Sequence, residues 1–220
     1  MKHIHKSLVA AAALFVAGCQ AQLAAPGPIA DESGETRYMR EYGVSLPPAG
    51  YVEFCEREPG ECARRASAGG RLVMTPQRWA VLNEVNTEVN RAVVAATDEE
   101  IYQTAEHWTL PDVAGDCEDY VLAKRKQLID RGFPQSALLI TVVRDEDRLG
   151  HAVLTVASDM GDLVLDNKSD LIRPWSDTNY VYYKRQSRSD PQRWVALTPK
   201  AGTSTALAAI DAGRASHTAR

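Results

Sequence analysis

The sequence predicts an α+β fold, helices packed on one antiparallel sheet, and two patterns predict it. Around residues 75–93 and 117–129, apolar residues recur at spacings of three and four, the period of a helix with one buried face. Further on the period changes. Residues 137–143, 151–157 and 163–166 are runs rich in Val, Leu, Ile and Thr, separated by Asp and Gly turns, the pattern of an antiparallel meander. With 220 residues, 45% of them hydrophobic, the chain can bury one sizeable core. A net charge of -4 and 25% charged residues give neither a nucleic-acid footprint nor a polybasic membrane patch.

The elements follow in chain order. Lys2, His3, His5 and Lys6 make a basic start, and residues 8–17 form an uncharged apolar run too short to span a bilayer. Residues 1–19 therefore read as an export signal. Its end, Val16-Ala17-Gly18-Cys19, resembles a lipobox, which would make Cys19 a lipidated first residue and tether the protein through acyl chains. Cleavage near Ala21 is the alternative. Gln20 after the cysteine implies outer-membrane sorting, so the expected location is periplasmic or outer-membrane-tethered. Residues 20–36 read as a linker, 37–199 as the domain and 200–220 as a disordered tail.

Cysteines in an exported chain are expected to be paired, modified or catalytic. Cys55 and Cys62 flank the turn dipeptide Pro59-Gly60, which favours a small disulfide over a metal knuckle for which no second ligand pair follows. Cys117 is then the odd thiol. Thr75-Pro76 opens a helix whose apolar face comprises Trp79, Leu82, Val85, Val89 and Val93, with Trp79 expected in the core. A second helix starts beside Cys117 and stops at Gly132 and Pro134. Two more strands are expected over 180–183 and 194–197.

A thiol attacks as its thiolate, and the unpaired N–H groups of a helix start favour that charge. The same donors can hold the oxyanion formed when a carbonyl is attacked. Downstream, His151 opens one predicted strand and Asp166 closes the next, so a hairpin brings them to one edge. The expected roles are Cys117 as nucleophile, His151 as general base and then acid, and Asp166 as the group that orients the imidazole.

Three motifs, Gly115-Asp116-Cys117-Glu118-Asp119-Tyr120, His151-Ala152-Val153-Leu154 and Val164-Leu165-Asp166-Asn167, resemble those of the bacterial transglutaminase-like cysteine peptidases, the LapG-like periplasmic proteases. The segment around Cys55 and Cys62 is similar to a proteobacterial branch rather than to LapG itself. The resemblance implies a papain-like, transglutaminase-like α+β fold and peptide-bond hydrolysis by Cys117, His151 and Asp166. It also implies calcium at Asp116, Glu118 and Asp119, whose charge would otherwise oppose a thiolate. As partners it implies a protein substrate, a large surface adhesin of biofilms, and an inner-membrane regulatory protein. Acyl transfer to an amine or cell-wall peptide, and a lipid-tethered binding module without catalysis, are the rival readings.

Overall fold

The computed structural model describes residues 36–64 and 70–199. The export signal, Cys19, the 200–220 tail and all but the last residue of the linker lie outside the described residues. In chain order the elements are β1 (Val44–Ser45), α1 (Ala49–Arg57), α2 (Pro59–Cys62), α3 (Pro76–Ala92), β2 (Val94–Ala95), α4 (Asp98–Tyr102) and β3 (Ala114–Gly115). Then come α5 (Cys117–Asp130), β4 (Leu138–Arg144), β5 (Gly150–Ser158), β6 (Gly161–Asp166), β7 (Ser169–Pro174), β8 (Val181–Gln186) and β9 (Trp194–Ala196). Seven strands form one antiparallel sheet in the order β1-β9-β8-β4-β5-β6-β7, with β2 and β3 as a separate parallel pair. No described helix is long and apolar enough to cross a membrane.

Local chemistry sets the two main helices. In α3 the Arg78 N–H donates to the Thr75 hydroxyl at 3.2 Å, and Pro76 supplies a preset φ at the first position. At the end of α5, Gly132 takes φ +87°, and Phe133 N–H donates to Leu128 O while Gly132 N–H donates to Ile129 O. This paired closure needs a left-handed residue after the helix, hence the glycine.

Both helices pack on one face of the sheet, α5 across β4 and β5 and α3 against α5 and β7. Leu82, Val85, Leu128, Ile140, Leu154 and Leu165 fill the space between and are wholly buried, each contributing about 1.5–3 kcal/mol. Trp79 departs from the core position expected of it. It is 36% exposed, because the buried stripe of α3 begins a turn later at Leu82 and includes the polar Asn86. Periodicity marks a face, but the extent of the packing partner decides how much of it is covered.

The opposite face of the sheet carries a smaller core of Met39, Val143, Val153, Val164, Tyr182 and Leu197. Residues 36–42 are tied to the sheet by the buried Asp162, which accepts the Met39 N–H at 2.9 Å and the guanidinium groups of Arg71 and Arg185 at 2.6 and 2.9 Å. Cys55 and Cys62 are joined in a disulfide with Cα atoms 5.5 Å apart, linking α1 to α2.

Candidate active site

Cys117 is the first residue of α5 and the free thiol among the described residues, partly exposed. Asp116 precedes it in extended conformation, and its side chain does not cap the helix. Cys117 thus stands at the helix start, the position whose unpaired N–H groups favour a thiolate. Its immediate neighbour opposes that charge: the thiol donates to Oε2 of the buried Glu118 at 3.1 Å.

His151, in β5, and Asp166, the last residue of β6, are both buried and are joined by Nε2···Oδ1 at 2.9 Å. The hairpin expected from sequence brings them together, and α5 packs across the strand that carries the histidine. Asp166 is held from every side. Oδ1 also accepts the Lys168 N–H at 3.1 Å, Oδ2 accepts the Tyr180 hydroxyl at 2.7 Å, and its backbone carbonyl accepts from Asn90 Nδ2 at 3.0 Å. Burial pushes this carboxyl upward, but His151, Tyr180 and the Lys168 N–H outweigh it and bring it down to about 2. With Nε2 committed to Asp166, Nδ1 is the ring nitrogen left for other proton chemistry.

The acidic residues around Cys117 are more numerous than the motif suggests. Asp116 groups with Cys117 and Glu118, Asp116 and Asp119 group with Asp98, and Glu118 groups with Asp98 and Glu106, with ligand atoms of each group within 4.8 Å of one another. Asp119 is wholly buried. Its Oδ1 accepts the Thr109 N–H at 2.8 Å, and Oδ2 has no hydrogen bond of ordinary geometry among the described residues, although the Asp116 N–H acts on the carboxylate. Burial first, then Glu118 and Asp98, push this carboxyl up to about 8. Gly115 is required here: a Cβ at that position would lie 2.6 Å from Asp119 Oδ2 and 2.7 Å from its Cβ.

Sequence reasoning missed Asp98, Glu106, Tyr180 and Asn90. Asp98 reads as an ordinary helix start, inside a capping box formed by Thr97 and Glu100. Glu106 lies in a loop without periodicity, where its carboxylate takes the Trp108 indole N–H. The spacing of Asn86 and Asn90 on the face of α3 is a signal that could have been found, since amides on an apolar stripe ask for partners.

The family model of the bacterial transglutaminase-like cysteine proteinases, BTLCP, matches residues 41–201. The chain belongs to this family. It is a cysteine peptidase of transglutaminase-like type, and its helices on an antiparallel sheet are the fold expected of it. Solved structures of Legionella pneumophila LapG are similar to it. The calcium-bound form gives a TM-score of 0.47 at 24% identity, covering 59% of this chain and 78% of that one. The EGTA-treated form gives 0.46 at 24% identity, covering 62% and 77%. No curated protein matches the chain.

Proposed function

We propose that this cysteine peptidase is an exported endopeptidase that hydrolyses peptide bonds of an extracytoplasmic protein through Cys117, His151 and Asp166. The observation that carries the reading is the buried His151–Asp166 pair at 2.9 Å, on a strand crossed by the helix that Cys117 opens. His151 takes the thiol proton at Nδ1, and the thiolate attacks the substrate carbonyl carbon. The resulting oxyanion meets the N–H groups of the first turn of α5. Collapse breaks the C–N bond as the imidazolium gives its proton to the leaving amine, and leaves a thioester on Cys117. Water, deprotonated by His151, attacks the thioester, releasing the new carboxyl group and regenerating the thiolate. Throughout, Asp166 keeps the proton on Nε2 and offsets the charge of the imidazolium.

Calcium suits the acidic cluster. A donor set made mostly of carboxylate oxygens, one buried carboxylate oxygen without an ordinary hydrogen bond, and a carboxyl pushed up to about 8 all favour a hard divalent cation. Asp116, Glu118, Asp119 and Asp98 would hold it, and its positive charge would offset the carboxylates that oppose the thiolate. From the family resemblance and the export signal, the reading extends to a periplasmic or outer-membrane-tethered enzyme, a large surface adhesin as substrate and an inner-membrane regulatory partner.

The test is cleavage of a protein substrate by purified enzyme, with Cys117→Ser as control and a labelled amine present. Cleavage that disappears in the variant supports the reading; amine incorporation without cleavage would replace hydrolysis by acyl transfer. In cells, deletion should leave more adhesin on the surface, and an unchanged amount removes the adhesin from the proposal.

A further inference from the structure

We propose that Tyr180 is a positioning residue of the site, its hydroxyl fixing the second oxygen of Asp166 and its ring limiting the rotation of His151. The proposal rests on the triad reading above. A carboxylate held by one oxygen can pivot about its Cβ–Cγ bond, and the imidazole bonded to it pivots too. Asp166 Oδ1 is occupied by His151 and the Lys168 N–H, so what holds Oδ2 sets how far the remaining pivot can go. Tyr180 holds it at 2.7 Å. The same ring meets the imidazole edge-on, with centroids 5.7 Å apart and planes at 82°.

The segment that carries Tyr180 is itself braced. The Thr178 hydroxyl donates to Trp175 O and lies 2.8 Å from the Tyr182 hydroxyl, while the indole of Trp175 packs edge-on against Tyr182 and donates to Thr36 O. The phenol remains a donor, since burial and the Asp166 charge push its ionisation well above the ordinary tyrosine value. A cleft open to solvent, lined in part by Val164, Ser169 and Asn179, reaches Asp166 beside Tyr180. The phenol occupies the oxygen that water from this cleft would otherwise solvate.

Tyr180→Phe keeps the ring and removes the bond. Loss of a hydrogen bond to a charged group corresponds to about a 10- to 100-fold fall in kcat, with KM held within about twofold because no substrate contact changes. The effect should vanish in an Asp166→Ala background, since Tyr180 acts through that carboxylate. Additive losses, or an unchanged kcat, would overturn the proposal. A substrate-independent measurement separates it from the triad reading: ring ¹⁵N shifts of His151 should show the Nε2–H tautomer losing population in the full-length variant, and identical shifts contradict the positioning role whatever the enzyme cleaves. If the Phe variant does not fold, 2,3,5-trifluorotyrosine at position 180 alters donor strength without altering shape, and kcat and tautomer that both ignore it refute the proposal.

Discussion

At the residue scale, two buried carboxylates behave oppositely because their partners differ. Asp166 is brought down to about 2 by donors, so the protein gains stability from it above the ordinary carboxylate value, near 3.8, and loses that stability as the pH falls toward about 2. The shift corresponds to about 2 kcal/mol, and denaturation between pH 5 and pH 2 should show a shallower acid decline in Asp166→Asn. Asp119 is pushed up to about 8, so its contribution is fully present below about 3.8 and is lost as the pH rises toward 8. In metal-free protein, Asp119→Asn should therefore raise the Tm at pH 8 relative to pH 4. With calcium present the same substitution should lower it, and each ion bound near pH 7 should release a proton, measurable by calorimetry in buffers of different ionisation enthalpy.

At the element scale, the β3–α5 junction and the β6–β7 turn aim the site. Gly115→Ala sets a Cβ against the Asp119 side chain, including its Cβ rather than only a flexible tip, so the junction must shift. The expected outcome is a loss of about 1–3 kcal/mol in urea denaturation together with a fall in Cys117 alkylation rate. Asn90 clamps the turn through Asp166 O, Ser169 O and Asp170 Oδ1, and Asn86 adds Ser169 O and Asp170 O. Asn90→Leu should reduce kcat more than it raises KM, since it frees the strand end that carries Asp166 while leaving the nucleophile helix in place. The paired asparagines show why α3 was only half legible: its apolar stripe is visible in the sequence, but the turn they hold lies about 80 residues away.

For the whole molecule, Asp162 ties the N-terminal segment to the sheet by neutralising two guanidinium groups, one of them wholly buried. Asp162→Ala leaves the buried Arg185 with the partly exposed Glu41, at 3.0 Å, as its remaining carboxylate partner, and should destabilise the fold by about 2–4 kcal/mol, read from the denaturant midpoint. The Cys55–Cys62 bridge closes a short loop, with a sequence separation of 7. Its removal by a double Ser substitution should cost about 2–3 kcal/mol on loop-closure grounds, with turnover retained at temperatures where the fold persists.

The sequence by itself determined what short-range chemistry controls. Thr75-Pro76 starts α3, Gly132 closes α5, alternating β-branched runs make the central strands, and a hairpin delivers His151 to Asp166. Each depends on neighbours within a turn or one reversal, so local propensity and spacing suffice. The edge strand β7, of mixed polarity and largely exposed, has no such pattern. Tertiary structure alone decided which distant groups share a volume. Asp98 and Glu106 join the acidic residues beside Cys117, Tyr180 and Asn90 seat Asp166, and Trp79 remains at the surface. Those pairings follow from how helices are laid across a sheet, where burial and charge act between residues that the chain itself keeps far apart.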